Sequence, residues 1–137
     1  MKSRLLRAHE AAYAALFSFS VKGWGGNEST ASFLTACALA GAVVMNFALL
    51  VGLTVFVAGP LDHVFSPAVV IVLVAAVMLL HYALFVRDER YTEIHARFSS
   101  RRTADRRFVA RLSWLYLTMS YVLPLMFAIV AVVIEIR

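Results

Sequence analysis

The sequence predicts an all-α integral membrane protein with three transmembrane helices, an amphipathic N-terminal helix and a cytoplasmic extension of the second transmembrane helix. Hydrophobic residues make up 62% of its 137 residues and charged residues 15%, whereas soluble domains average roughly 45–50% apolar and about 25% charged residues. A small soluble domain cannot bury that much apolar surface. Lipid is therefore the expected solvent for the excess.

Three stretches without a charged residue, 29–61, 64–86 and 112–134, predict the membrane spans. The hydrocarbon core of a bilayer is ~30 Å thick, which takes about 20 residues of helix at ~1.5 Å per residue. We place the spans at about residues 30–58, 67–86 and 110–135. Residues that cap or break helices mark their ends, and these are Asn27 or Ser29, Gly59-Pro60, Ser66-Pro67 and Thr103 with Asp105.

Basic residues are distributed unequally between the two sides of this topology. Twelve of the 13 lysine and arginine residues fall on one side of three alternating spans, and Arg137 alone falls on the other. Such a bias marks the cytoplasmic side. The sequence therefore predicts a multi-pass protein of the inner (cytoplasmic) membrane, with a cytoplasmic N-terminus and a periplasmic C-terminus.

The N-terminal region, residues 1–26, combines an amphipathic helix with a glycine-rich elbow. One helical face collects the apolar side chains of Leu5, Leu6, Tyr13, Leu16 and Phe17. This pattern is typical of a helix that lies in the membrane interface, or of one that packs on the protein's own cytoplasmic part. The elbow contains Trp24, a residue suited to the membrane–water boundary. Residues 27–137 form the predicted three-helix transmembrane domain.

A second amphipathic pattern lies in the cytoplasmic segment 87–109. Tyr91, Ile94 and Phe98 recur at helical spacing, and Glu93 and Arg97 form an i,i+4 pair in the favourable order. The pattern predicts that the second transmembrane helix continues to about Ser99. It also predicts that the apolar stripe docks on a partner, either the N-terminal helix or a neighbouring subunit.

These features together resemble a group of uncharacterised small three-span proteins of bacterial inner membranes. The resemblance rests on the amphipathic N-terminus, on Asn46 within the first span, and on the segment RDERYTEIHARF at 87–98. It covers most of the chain. It implies the three-span fold and brings no activity with it.

Polar and small residues within the spans are candidates for helix packing or for lining a pore. Asn46 lies in the middle of the first span, where an amide commonly bonds across a helix interface. Small residues around it allow helices to approach closely, and Ser120 and Pro124 share one face of the third span. The candidate residues are Asn46, Ala48, Gly52, Ser120 and Pro124.

The histidines are candidate ligands of a metal or a haem. His81 is the histidine predicted within a span, whereas His63 and His95 lie outside the spans. Because a b-type haem needs axial histidines that face each other from different helices, one chain is not expected to supply the pair, although a dimer would. Zinc-ligand spacing is absent. No cofactor or metal is predicted, and interfacial hydrogen bonding is the expected role of His81.

Basic residues near the third span predict contact with lipid headgroups. Arg101, Arg102, Arg106 and Arg107 lie within a turn or two of the membrane, so anionic lipid is a better partner for them than nucleic acid. No triad, paired-carboxylate or phosphate-loop pattern occurs. The sequence thus predicts no catalytic residue and no enzymatic activity.

The sequence favours a small non-enzymatic membrane protein that assembles into a homo-oligomer or with a larger partner. The most specific form of this hypothesis is a homo-oligomeric pore that permeabilises the membrane. Two alternatives stay open. One is a membrane anchor subunit of a redox or quinone enzyme, and the other is an accessory module of a transporter.

Overall fold

The computed structural model describes residues 4–23, 25–59 and 66–135. Within these ranges the chain is helical and contains no strand. The helices are α1 (Arg4–Gly23), α2 (Glu28–Ala58), α3 (Pro67–His81), α4 (Arg90–Ser99) and α5 (Thr103–Glu135). Four residues that carried predictions lie outside the described ranges, namely Trp24, Pro60, His63 and Arg137.

The prediction of three membrane-spanning helices is confirmed in length and composition. The apolar helical segments are Glu28–Val57, Ala68–Ser99 and Thr103–Ile134. The side chain of Asn27 accepts a hydrogen bond from the Thr30 amide at 3.0 Å, and the Ser66 hydroxyl accepts one from the Val69 amide at 3.4 Å. At the other end of α2, Gly59 adopts a left-handed φ of 90°. Local signals in the sequence thus identify the ends of α2 and the start of α3.

Helix α2 occupies the centre of the membrane-spanning bundle. It packs against α3 on one side and α5 on the other, while among the described residues α3 and α5 make no comparable interface. Helices α2 and α5 run in the same direction, because Asn46 meets Ser120 and Gly52, further along α2, meets Phe127, further along α5. The three helices therefore form an open layer, with a groove between α3 and α5.

The second span continues as helical structure to Ser99, as predicted, but the chain changes direction before α4, which the sequence did not predict. A π-helical turn, Tyr82–Val86, follows α3 and leads into a short 3₁₀ turn, Arg87–Glu89. Asp88 and Glu89 have φ angles of 56° and 53°, in a left-handed region that costs a non-glycine residue about 1–2 kcal/mol. Packing of α4 against α1 compensates for this cost.

The buried core lies at one end of the bundle, in a region that we call the cap. The cap consists of α1, α4, residues 28–42 of α2 and residues 103–117 of α5, and it encloses Tyr13, Phe17, Leu39, Phe85, Ile94 and Phe98. Beyond the cap, the spans expose large apolar side chains, with Val57, Ile71 and Leu79 between 67% and 83% exposed. Apolar surface of this extent is suited to lipid.

Helix α1 is attached to the bundle through its middle turns. The Tyr13 ring stacks on Phe85 with centroids 4.4 Å apart, and its hydroxyl lies 2.7 Å from Ser32 Oγ. Burial raises the pKa of the Tyr13 hydroxyl to about 12, so this group stays protonated at neutral pH. Leu16 and Phe17 are buried as well, whereas Leu5 is 83% exposed. The two predicted placements of this helix were the membrane interface and the protein's own cytoplasmic part. The middle of α1 thus packs on the protein.

Candidate functional site

A cavity of about 1040 Å³ lies beneath α1, in the groove between α3 and α5. It is larger than two other cavities, of about 310 Å³ and about 460 Å³. Val43 of α2 also lines the cavity, between the two flanking helices. Most of the lining is apolar, and these residues are Leu5, Leu6, Ala8, Ala11, Ala12, Val43, Leu80, Leu84, Val109 and Leu112. The polar lining residues are Arg7, His9, His81, Arg101, Ser113 and Tyr116.

Two histidines from different helices meet at this cavity. His9 of α1 and His81 of α3 place their Nε2 atoms 3.1 Å apart. Their rings are nearly perpendicular, with an interplanar angle of 73° and centroids 5.2 Å apart. The Phe85 ring lies against both, at centroid distances of 5.4 Å from His9 and 5.9 Å from His81. A pair of imidazoles is thus held at the edge of an apolar cavity.

The hydrogen bonds assign a tautomer to each ring of this pair. Nδ1 of His81 lies 2.8 Å from the Val77 carbonyl oxygen, and a carbonyl can only accept, so Nδ1 carries the proton. In neutral His81 the Nε2 atom is then an acceptor, and the Nε2–H group of His9 donates to it. Burial, and secondarily the His81 ring, lowers the pKa of His9 below its ordinary value of 6.5. His9 is therefore neutral at pH 7.

Arginines supply the positive charge at the cavity. Arg7 of α1 and Arg101, between α4 and α5, line both this cavity and an adjacent one of about 310 Å³. Arg101 also places its guanidinium 5.9 Å from the centre of the Phe98 ring. The site therefore combines an apolar wall, two arginines and two imidazoles.

The predicted site residue His81 is thus paired within the chain, and its partner, His9, was not among the predicted site residues. The sequence placed His81 alone within a span, whereas the structure brings His9 of α1 against it. A signal was present in the sequence, because His9, Tyr13 and Phe17 follow one another at intervals of four residues and share a helical face. That face is the one that α1 packs inward.

The predicted packing or pore residues lie mainly between α2 and α5. The amide of Asn46 donates to Ser120 Oγ at 2.9 Å and to the Tyr116 hydroxyl at 3.4 Å. Ser120 and Pro124 are buried, whereas Ala48 is exposed. These contacts account for Asn46 and Ser120 without a second copy of the chain. Assembly and pore formation stay predictions.

Gly52 allows α5 to approach α2 closely. A Cβ atom added at Gly52 would lie 2.8 Å from a carbon of the Phe127 ring. We expect Gly52→Leu to lower the free energy of unfolding by about 1–3 kcal/mol, because the added carbons overpack this contact. Unfolding of the detergent-solubilised protein measures the change.

Ala48→Leu is the matched control for this substitution. It adds three carbons, against four at Gly52, one turn earlier on α2 at an exposed position, and it should change stability by no more than about 0.5 kcal/mol. Equal effects of the two substitutions would show that Gly52 makes no special contact.

The predicted docking stripe of α4 packs inside the chain. Ile94 and Phe98 are buried in the cap, and the Tyr91 ring lies 5.5 Å from that of Phe17. The predicted Glu93–Arg97 pair is formed at 3.1 Å, and Arg97 also lies 3.9 Å from Glu10 of α1. Of the two predicted partners for this stripe, the structure provides the N-terminal helix.

The four arginines predicted to contact lipid headgroups have different surroundings. Arg101 lines the main cavity. Arg106 and Arg107 line another cavity, of about 460 Å³, together with Glu28, and Arg106 also donates to Thr103 Oγ1 at 3.3 Å. Arg102 is exposed. Arg101 is thus the member of this set that reaches the histidine site.

Comparison of the chain with protein-family models, with curated proteins and with solved structures finds no match.

Proposed function

We propose that this chain is a small integral membrane protein that binds an amphiphilic ligand, with an apolar body and an anionic end, in the cavity beneath α1. The observation that carries the proposal is the composition of the cavity, where an extended apolar wall is combined with Arg7 and Arg101. The cavity lies where the groove between α3 and α5 passes beneath α1. A ligand that reaches it from the bilayer would not have to cross a polar barrier.

The apolar wall favours a ligand with a substantial apolar body. A cavity of about 1040 Å³ is at the upper end of the roughly 300–1,000 Å³ usual for small-molecule sites. Leu80, Leu84 and Leu112 present aliphatic carbon to it from two helices. Filling the cavity with apolar groups removes this surface from contact with water at the cap.

The arginines favour an anionic end. A guanidinium binds carboxylate or phosphate through paired, charge-assisted hydrogen bonds. Arg7 and Arg101 lie on different elements, so a ligand that contacts both also links α1 to the start of α5. Ligand binding should therefore stabilise the cap.

Binding can be tested with phosphatidylglycerol and phosphatidylcholine of the same acyl chains as probes, titrated into the detergent-solubilised full chain and followed by native mass spectrometry. We expect the wild type to prefer phosphatidylglycerol. In the double variant Arg7→Gln/Arg101→Gln this preference should fall roughly 30-fold, because each arginine near an anionic headgroup contributes about 1 kcal/mol.

The double variant Arg4→Gln/Arg102→Gln is the matched control. It removes two exposed arginines from the same two regions of the chain, and neither residue lines the cavity. The control should keep the preference. An equal loss in both doubles would mean that the arginines act only through net charge, and the cavity would not be the site.

We further propose that the cap lies on the cytoplasmic side of the membrane. The arginine-rich segment between the second and third spans belongs to the cap, and the positive-inside rule places such segments on the cytoplasmic side. Burial agrees with this placement, since the buried apolar core lies in the cap, whereas the spans beyond it expose most of their large apolar side chains.

Reporter fusions test this orientation. A reporter inserted at Ser100 should be active only in the cytoplasm, and one fused after Arg137 only in the periplasm, since one span, the third, separates these two positions. Activity of both reporters on one side would contradict the topology, and the reverse pattern would contradict the orientation.

A further inference from the structure

We propose that a second cavity in the cap, separate from the one beneath α1, binds a phosphate monoester group as its dianion. This cavity has a volume of about 460 Å³ and lies where the second halves of α1 and α4 meet the starts of α2 and α5. The two cavities have no lining residue in common within the described ranges. The proposal therefore adds a site to the proposed function and does not depend on it.

Three cationic side chains and one carboxylate line this cavity. Lys22 comes from α1, Arg106 and Arg107 come from one face of α5, and Glu28 comes from the first turn of α2. Positive charge therefore exceeds negative charge by two. A dianion is the ligand charge that would neutralise this excess.

The charges at this cavity are not neutralised by ion pairs within the chain. Over the part of the chain that the structure describes, none of the four charged lining residues forms an ion pair. Elsewhere in the cap Arg97 lies close to both Glu93 and Glu10. Like charges that share a cavity without a counter-ion repel each other. A bound anion would remove this repulsion and link the ends of four helices.

Arg106 has an unused hydrogen-bond donor beside the cavity. Its Nη2 atom donates to Thr103 Oγ1 at 3.3 Å, whereas its Nε atom is buried and has no hydrogen-bond partner among the described residues. An unpaired buried donor is costly, especially on a charged group. Rotation of the guanidinium toward the cavity would direct two of its N–H groups at one phosphate, the paired geometry in which arginine binds this group.

A hydroxyl on α4 supplies a neutral donor to the same cavity. Ser18 Oγ donates to the Ala14 carbonyl at 2.8 Å, so it accepts from Nδ1–H of His95 at 3.2 Å. In the neutral His95 ring, Nε2 then accepts from the Ser99 hydroxyl at 3.4 Å. This last bond is long, so the Ser99 hydroxyl would lose little by turning to a phosphate oxygen.

The charge of the cavity favours a phosphate monoester over a carboxylate or a phosphodiester. A monoester carries a charge of about −1.5 to −2 at pH 7 and three strong acceptor oxygens, whereas a carboxylate or a diester carries a single negative charge. Apolar lining residues, among them Ala15, Val21 and Ala110, leave room for the group attached to the phosphate. A soluble phosphate ester and the headgroup of phosphatidic acid share this chemistry.

The test is calorimetric titration of the full chain in a nonionic detergent with inorganic phosphate and, separately, with glycerol 3-phosphate, at constant ionic strength. In a parallel arm, native mass spectrometry compares phosphatidic acid with phosphatidylcholine of the same acyl chains. Saturable binding of one soluble probe per chain would support the site with a soluble ligand. A preference for phosphatidic acid alone would support it with a lipid headgroup. Absence of both would overturn the proposal.

Paired substitutions on α5 locate the site. Arg106→Gln/Arg107→Gln should weaken binding at least roughly 10-fold, because each arginine makes charge-assisted hydrogen bonds. The matched control is Arg102→Gln/Arg111→Gln, which removes two exposed arginines near the same helix that do not line this cavity. The control should keep the wild-type affinity. Equal losses in both doubles would mean that net charge alone attracts the anion, and the proposal would be overturned.

Glu28→Gln should strengthen binding roughly 5-fold, because it removes the carboxylate that repels an anion in the cavity. A gain in affinity cannot arise from misfolding, so this variant decides the question if the arginine variants fail to fold. Unchanged or weaker binding by Glu28→Gln would contradict a site in this cavity.

The outcome is separate from that of the proposed function. Arg106→Gln/Arg107→Gln should keep the wild-type preference for phosphatidylglycerol, since neither residue lines the cavity beneath α1. Phosphate binding without any phosphatidylglycerol preference would support this site and remove the amphiphile site. A phosphatidylglycerol preference without phosphate or phosphatidic acid binding would do the reverse.

Discussion

Replacing Phe85 with alanine should lower the free energy of unfolding by about 3–5 kcal/mol, the usual range for removing a buried aromatic side chain. Phe85 is 0% exposed. Its ring stacks on Tyr13 and lies against His9, so its loss opens a cavity where α1 meets the turn after α3. Unfolding of the detergent-solubilised protein measures the effect.

Two further substitutions show whether this cost arises from burial in the cap. Phe108→Ala removes the same side chain from a position that is 64% exposed, and it should change stability by no more than about 0.5 kcal/mol. Phe85→Leu restores part of the volume and should recover part of the loss. A Phe85→Ala variant as stable as Phe108→Ala would mean that α1 is not anchored at this residue.

The membrane-spanning helices could be predicted because their signals are local. A stretch of more than 20 uncharged residues indicates a span wherever it occurs, and Asn27 and Ser66 bond to amides three residues ahead of them. Such signals need no knowledge of the rest of the fold. The same reasoning identified the apolar stripe of Tyr91, Ile94 and Phe98.

The direction of α4 could not be predicted in this way. A periodic stripe shows which face of a helix is apolar, but not where the helix points. That direction depends on the left-handed conformations of Asp88 and Glu89. Neither aspartate nor glutamate favours this conformation strongly enough for it to be predicted from the sequence. Tertiary packing of α4 on α1 decides the conformation.

The histidine site depends on contacts between distant parts of the chain. His9 and His81 are 72 residues apart, and they meet only because α1 folds back across the bundle onto the turn that follows α3. The sequence left open whether α1 lies in the membrane interface or packs on the protein, and neither alternative specifies which residues of α1 and α3 meet. The contact of Gly52 with Phe127 could not be predicted for the same reason, since it too joins distant parts of the chain.

The distribution of buried residues links the fold to the proposed site. Helices in lipid need not hide apolar side chains, whereas helices in water must. The buried apolar core lies in the cap and the exposed apolar surface lies mostly on the spans, so we place the proposed membrane surface near the boundary between the two. Leu84 and Leu112 lie near this boundary and line the cavity together with Arg7. An amphiphile placed there would have its apolar body against the leucines and its anionic end near the arginine.

Replacing Ile94 with aspartate should release α4 from α1 and destabilise the cap by about 3–5 kcal/mol. Ile94 is 4% exposed, so the substitution combines the loss of a buried aliphatic side chain with the burial of a carboxylate. The new charge would also lie in the region of Glu10, which lines the same small cavity as Ile94. Faster trypsin cleavage at Arg97 and Arg101, at a temperature where the spans stay folded, measures the release.

Ala96→Asp is the control for this experiment, because it places the same charge on the exposed face of α4. It should leave the cleavage rate close to that of the wild type. Ile94→Ala, which creates a cavity without a charge, should give an intermediate rate, since it removes packing but buries no carboxylate. Equal cleavage of Ile94→Asp and Ala96→Asp would contradict the packing of α4 on α1. It would also leave the left-handed turn at Asp88 and Glu89 without the contact that compensates for its cost.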